Sequence, residues 1–230
     1  MTEMKTTVTV NLPESLLLLA IDDETGRISS QMQAADLGAA AAILLELLID
    51  GRIGTVDGKI RVIDDSTTGD VMFDQALSAI RDSKKPHDAK YWVHTISRQH
   101  VKDRVLDQLI ARNIVRKEEH RVLWVFPVDR FPVENPAPEN DLRETLREVV
   151  ITGYDPDARS AALIGLLKAT NLTGAVFNRE ERKAYKKRIE EIARGEQMSE
   201  AVSKILQDTQ TALIAVMVAT TATTSAATSN

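Results

Sequence analysis

Apolar positions in this chain fall mainly into helix-length segments that are separated by short polar breaks. The first two segments are LPESLLLLAI, from Leu12, and DLGAAAAILLELLIDGRI, from Asp36. Pro13 stands at the start of the first segment, where its missing N–H is tolerated. Asp36 is placed to cap the second segment, which ends before Gly51. The pattern predicts two helices, the second of them largely buried.

The apolar positions between residues 71 and 115 repeat every three or four residues, which is typical of helices with one buried face. The segment STTGDVMFDQALSAIRDS predicts a helix that is capped by Thr67 or Thr68 and stops before Pro86. DAKYWVHTISR predicts a short helix, and QHVKDRVLDQLIARNIV predicts an amphipathic one.

Two stretches predict β-hairpins. In RIGTVDGKIRVI, Asp57 and Gly58 form a tight-turn signal between two short β-prone runs. The second stretch is IVRKEEHRVLWVF, with its turn predicted near residues 117–120. It ends in five consecutive apolar residues, VLWVF, where a strand with one wet face would alternate. Either both faces of this strand are buried, or one face meets something apolar outside the protein.

The rest of the chain predicts a proline-rich connection followed by helices. PVDRFPVENPAP holds four of the seven prolines and predicts an extended linker. Further helices are predicted over Asp141 to Thr152, Asp157 to Asn171, Asn178 to Gly195 and Ser199 to about Thr220. We therefore expect a mainly α fold: a flexible arm over residues 1–11, one globular helical domain with two small β-hairpins over 12–220, and a disordered tail over 221–230.

Composition narrows the classes of function. The apolar and charged fractions, 43% and 27%, are those of an ordinary soluble globular protein, and the formal charge of −5 opposes general attraction to nucleic acid. The absence of cysteine excludes disulfides, thiolate metal sites and cysteine nucleophiles, and it fits a reducing compartment. No segment resembles a signal peptide or a membrane span. We expect a cytoplasmic protein.

No pattern for catalysis or metal binding emerges. The four histidines fall in no metal-binding spacing, and the chain has neither a GxSxG elbow nor a glycine-rich phosphate loop. The sequence therefore predicts a protein that is not an enzyme and that uses no cofactor or metal.

Two segments are locally basic. Residues 178–194 hold seven basic and four acidic residues, and the spacing of Lys187 and Glu191 predicts ion pairs along one solvated helix. Residues 98–121 have the same balance, with Arg98 and Lys102 interpreted as one turn apart on a helix before the second hairpin. That arrangement fits a winged-helix DNA binder, an anionic lipid site beside an apolar wedge, or a buried hairpin with incidental surface charge.

Several segments together resemble the Golgi phosphoprotein family. They are SLLLLAIDDETGRI, LGAAAAILLELLIDGRI and TTGDVMFDQALSAI, followed by YWV, VKDRVLDQLIARNIV and the aromatic hairpin. The pattern TGD-x-x-x-D-x-AL is the most specific of these, and the similarity covers about Leu12 to Leu213. Members of the family are peripheral membrane proteins that bind phosphatidylinositol 4-phosphate. The long basic tail of Golgi members has no counterpart here, so we expect a bacterial member.

The resemblance implies a non-catalytic helical domain whose protruding hairpin has an apolar tip for membrane insertion or self-association. On this chain that hairpin is residues 116–126. We expect Val122 and Val125 to face the core. The residues that would reach a membrane or a second subunit are Leu123, Trp124 and Phe126.

The family's headgroup site consists of one Trp and three Arg residues. The corresponding positions here are Gln31, Ala40, Gln99 and Lys102, of which only Lys102 keeps a positive charge. The local positive charge adds Arg98 and Arg104 to Lys102 as candidate headgroup-binding residues.

These residues predict a peripheral protein on the cytoplasmic face of a membrane. Its partner would be an anionic phospholipid, phosphatidylinositol 4-phosphate or a similar phosphoinositide, and no nucleic acid is expected. Two alternatives stay open, a homo-oligomeric interaction adaptor without lipid affinity and a winged-helix-like DNA binder.

Overall fold

The computed structural model describes residues 9–29, 35–122 and 126–195, together with Ser203 and Gln207. Side chains are described over the same ranges except for residues 120–128. The helix predicted from Ser199 lies outside these residues, apart from Ser203 and Gln207, which are helical. The predicted C-terminal tail and most of the predicted N-terminal arm also lie outside them.

The described residues form a mainly helical domain with two small antiparallel hairpins, which confirms the predicted fold class. Its helices are α1 (Leu12–Ala20), α2 (Ala35–Ile49), α3 (Val71–Arg81), α4 (Ala89–Ser97), α5 (Val101–Ala111), α6 (Ala137–Arg147), α7 (Ala158–Ala169), α8 (Arg179–Ala184) and α9 (Lys186–Ala193). Its strands are β1 (Ile53–Val56), β2 (Lys59–Val62), β3 (Glu118–Val122) and β4 (Phe126–Arg130).

Helices α1 and α2 lie at the centre of the fold. Every residue of α1 is buried, and α2 packs against α1, α4, α5 and α7. The run of four alanines from Ala39 to Ala42 is fully buried, and such small side chains let the neighbouring helices approach closely. The long apolar segments of the sequence therefore become buried on all sides, as predicted for α2.

Capping residues set the helix starts, and one predicted cap is wrong. Asp70, rather than Thr67 or Thr68, caps α3, because its carboxylate accepts a hydrogen bond from the Met72 amide at 2.7 Å. Thr68 instead donates its amide to Asp74 at 2.7 Å. Asp70 stands directly before the first helical residue, which is the position from which a side chain reaches the free amides.

The first predicted hairpin is confirmed. Strands β1 and β2 pair in antiparallel register from Ile53 opposite Val62 to Val56 opposite Lys59. The two residues between them both have positive φ angles, 52° at Asp57 and 72° at Gly58. That is the backbone of a type I′ turn, which matches the twist of the flanking strands.

The second hairpin forms, but its predicted turn is wrong. Residues 118–120 lie within β3, and the strands pair from Glu118 opposite Arg130 to Val122 opposite Phe126. The segment RVLWVF therefore ends one strand and begins the next, which explains why it does not alternate. The predicted proline-rich linker also contributes four residues to β4, from Pro127 to Arg130.

The helices after the second hairpin differ in detail from the prediction. Helix α6 begins four residues early, at Ala137, and its predicted continuation to Thr152 is a π-helical turn that ends at Gly153, whose φ is 83°. Helix α7 matches its predicted bounds within a few residues. The long helix predicted from Asn178 is interrupted at Tyr185, which separates α8 from α9.

Candidate functional site

The root of the second hairpin, the end at which residues 114–117 lead into β3 and Phe131 follows β4, is fixed firmly to the helical domain. Ile114, Val115 and Phe131 are buried on either side of the strands, and the Phe131 amide donates a hydrogen bond to the Gly26 carbonyl at 2.5 Å. Gly26 has a φ of 65°, and a Cβ atom there would lie 3.1 Å from the backbone nitrogen of Pro132. The close approach at this root therefore requires glycine.

Beyond its root, the hairpin is a ribbon whose strands pack mainly on each other. Ion pairs stabilise the half near the root, where Lys117 lies 2.8 Å from Asp129 and Arg116 lies 2.6 Å from Glu118. Hydrogen bonding to Asp129 raises the pKa of Lys117. The charged residues end at Arg121 on one strand and Asp129 on the other.

The strand register therefore places the uncharged residues 122 and 126–128 at the end of the ribbon away from the root. Leu123 and Trp124 lie outside the described residues. For Phe126 the structure describes only the backbone pairing with Val122. The facing of these side chains, and of Val122 and Val125, stays a prediction.

The predicted headgroup residues come from two helices instead of one. Arg98 ends α4, Lys102 is the second residue of α5, and His100 between them has a left-handed φ of 52°. The interpretation of Arg98 and Lys102 as one turn apart on one helix is therefore wrong. Within the part of the chain that the structure describes, the guanidinium groups of Arg98 and Arg104 have no hydrogen-bond or ion-pair partner.

Asp36 has a different role from the predicted one. It lies inside the first turn of α2, and its carboxylate accepts a hydrogen bond from the Lys102 amide at 2.9 Å. Asp36 thus caps α5, whose own N-cap residue, His100, makes no side-chain cap bond. The Lys102 ammonium pairs with Asp103 at 3.1 Å. A carboxylate from α2 therefore sits where the free amides of α5 begin.

The comparison with known families decides the identity. The model of the family described as Golgi phosphoprotein 3 (GPP34) matches residues 12–209. The chain belongs to the Golgi phosphoprotein 3 family. A curated relative, Vacuolar protein sorting-associated protein 74 of Eremothecium gossypii, is 24% identical over an alignment of 166 residues that covers 62% of this chain and 50% of the relative. The chain thus spans about half the length of this relative.

Among the described residues of this Golgi phosphoprotein 3 family member, the positions that the resemblance aligns with the headgroup ligands do not form a cationic cluster. Ala40 lies one turn after Asp36 on α2 and is fully buried, so that position offers only a methyl group. Gln99 is exposed, and Gln31 lies outside the described residues. Of these four positions only Lys102 carries a positive charge; its amide donates to Asp36 and its ammonium pairs with Asp103.

Three buried glutamates in this family member were missed by sequence reasoning. Each is at most 4% exposed and faces an arginine from elsewhere in the fold or one turn away. The pairs are Glu14 with Arg112, Glu46 with Arg159 and Glu139 with Arg143. Burial raises the pKa of Glu46 and of Glu139. No local sequence pattern marks the pairing of Glu14 or of Glu46, because their arginine partners lie 98 and 113 positions away in the chain.

Other kinds of site receive little support. Over residues 9–29, 35–122 and 126–195, no group of three His, Cys, Asp or Glu side chains is arranged to hold a metal ion. Among the described helices, none has the length and apolar character to span a membrane. An apolar cavity of about 230 Å³ lies between α1, α6 and α7, with Leu12, Leu142 and Leu163 in its wall.

Proposed function

We propose that this chain is a non-enzymatic peripheral membrane protein that binds anionic phospholipid on the cytoplasmic face of a membrane. The contacts would be the end of the β3–β4 hairpin together with Arg98, Lys102 and Arg104. The observation that carries the proposal is the hairpin register, which pairs Val122 with Phe126 at the end of a ribbon fixed at its root, within a sequence segment, residues 122–128, that carries no charge.

The chemistry of this surface suits a membrane interface. Trp, Leu and Phe side chains partition favourably into the boundary between headgroups and acyl chains. Each basic side chain near an anionic surface adds about 1 kcal/mol of attraction. Arg98 is exposed and Arg104 is half-buried, and neither guanidinium group is neutralised by a partner in the described residues. Phosphoinositides are the anionic lipids that the family resemblance implies.

The same hairpin supports a second candidate, a homo-oligomer in which the uncharged ends of two ribbons pack together. Its apolar sequence favours this candidate as strongly as it favours membrane insertion. The DNA-binding alternative has less support, because Arg98 and Lys102 do not share one helix that would enter a groove.

The test is co-sedimentation with vesicles that are neutral, contain phosphatidylglycerol, or contain phosphatidylinositol 4-phosphate, each at low and at physiological salt. Wild type should pellet with the anionic vesicles, and Trp124→Ser should lose most of that binding. A matched control is Val56→Ser, which removes a 53% exposed apolar residue from the other hairpin and should leave binding unchanged.

Two results would contradict the proposal. If wild type does not pellet with any anionic vesicle at low salt, the protein does not bind lipid. In that case, a molecular mass that rises with protein concentration in wild type, and is lower in Trp124→Ser, would show that the hairpin is an interface between copies of this chain. Equal losses in Trp124→Ser and Val56→Ser would show that the hairpin end has no special part in binding.

A further inference from the structure

The cavity between α1, α6 and α7 is mainly apolar inside and acidic at its rim. The exposed carboxylates of Asp141 and Asp157 stand at its edge, and neither has an ion-pair partner within the described residues. Arg159 also lies there, but its guanidinium group pairs with Glu46 and Asp50. The mouth of the cavity therefore carries net negative charge, which disfavours fatty acids and anionic lipid headgroups as occupants.

Two buried hydroxyl groups face the same cavity. Ser15 on α1 and Ser160 on α7 line it, and these residues are 2% and 7% exposed. Neither side-chain hydroxyl has a hydrogen-bond partner in the part of the chain that the structure describes. Buried hydroxyl groups are normally satisfied. A peptide backbone carries donors and acceptors along its length and would satisfy them, whereas a hydrocarbon chain would not.

The chain itself enters the fold at this cavity. Thr9 and Val10 line its wall, and the Arg112 guanidinium group donates to the Thr9 carbonyl at 2.6 Å, which fixes the entry point. The eight residues before Thr9 are MTEMKTTV, in which Met4 and Lys5 place an apolar side chain next to a positive one. Five residues reach at most about 17 Å, so a chain that turns back at Thr9 can bring Met4 into the cavity.

We propose that residues 1–8 of this chain dock into the cavity, with Met4 between the leucine side chains and Lys5 at Asp141 and Asp157. Methionine is unbranched and flexible, and it fills irregular apolar spaces well. A cavity of roughly 150 Å³ admits a benzene-sized group. The volume of about 230 Å³ is therefore sufficient for a methionine side chain. The docking uses none of the residues that contact lipid in the proposed function.

The first test is NMR on the full chain with ¹³C-labelled methionine methyl groups. The Met4 methyl should show nuclear Overhauser contacts with the methyl groups of Leu142 and Leu163, which lie in the cavity wall. Met4→Ser removes that signal and so assigns it. The contacts should be independent of protein concentration, because the segment and the cavity belong to the same chain.

The second test is the rate of trypsin cleavage after Lys5, followed by mass spectrometry. Each rate is divided by that of a synthetic peptide of residues 1–10 with the same sequence, which removes the effect of the substitution on trypsin itself. Cleavage should be at least about fivefold faster in Met4→Ser than in wild type, because proteolysis follows the population of the released segment. Asp141→Asn should also speed cleavage. The matched control, Val56→Ser on the β1–β2 hairpin, should leave it unchanged.

Three results would overturn this inference. The first is a Met4 methyl group without contacts to Leu142 or Leu163. The second is cleavage of wild type at the rate of the free peptide. The third is a set of contacts that appears only as the protein concentration rises, because the occupant would then be the segment of a second copy. Vesicle binding does not enter either test, so the proposed function can fail while this docking holds.

Discussion

The pair of Glu46 and Arg159 gives the sharpest prediction about stability. Glu46 is 4% exposed, and its carboxylate accepts from the Leu12 amide at 3.1 Å and from the Arg159 guanidinium. The change Arg159→Met keeps an unbranched, flexible side chain but removes the guanidinium group and its charge, so it leaves a buried carboxylate without a counter-ion. Such losses cost about 3–5 kcal/mol, and we expect about 3 kcal/mol because the Arg159 side chain is itself 44% exposed.

The loss should depend on pH in a defined direction. Burial already raises the pKa of Glu46 in the folded protein. A carboxyl group whose pKa is raised on folding adds stability below its unfolded pKa, and that stability is lost as the pH rises through the folded pKa. Without Arg159 the folded pKa rises further. The destabilisation by Arg159→Met should therefore be largest at pH 7 to 8 and smaller at pH 5.

Urea unfolding followed by circular dichroism at pH 5, 6, 7 and 8 measures this effect. The double variant Glu46→Gln with Arg159→Met should recover more than half of the loss at pH 8, because the buried group is then neutral and still accepts from the Leu12 amide. Asp50→Asn, which removes the exposed second partner of Arg159, should cost less than about 0.5 kcal/mol. A loss that is equal at every pH, or that the double variant does not recover, would refute this reasoning.

Two further predictions concern local geometry. Gly26→Ala should destabilise the protein by more than about 1 kcal/mol, because alanine is strained at a φ of 65° and its Cβ would press on Pro132. Thermal melting measures the loss, and an unchanged melting temperature would contradict the prediction. Asn178→Ala should cost about 1 kcal/mol, because Asn178 and Glu181 form a reciprocal capping box at the start of α8. Urea unfolding checks that value, with Asn178→Ser, which retains a capping oxygen, as the variant that should lose little.

The sequence predicts those elements whose signals are local. The Asp57–Gly58 turn and the helices α3, α5 and α7 follow from neighbouring residues, and all of them form where the pattern places them within a few positions. The turn of the second hairpin could not be found in this way. Its charged run resembles a loop, yet ion pairs such as Lys117 with Asp129 suit a strand that is solvated along its length.

Contacts between distant residues also escaped prediction. The position of Asp36 at the start of a helix segment fits a cap for that helix, and only the fold shows that its carboxylate reaches Lys102 on another helix. The pairing of Glu46 with Arg159 likewise depends on how α2 packs against α7. Sequence similarity to a family predicts the arrangement of helices, but it does not predict which side chains meet between them.

The way in which α1 is held has a consequence for the order of folding. Its start depends on later parts of the chain, because Arg112 hydrogen-bonds both to Glu14, at 2.5 Å, and to the Thr9 carbonyl, at 2.6 Å. Glu14 and Arg112 are 98 positions apart, and ribosomes add roughly 5–20 residues each second. Glu14 therefore waits on the order of 5–20 seconds for its counter-ion during synthesis, an interval in which chaperones can bind the incomplete domain.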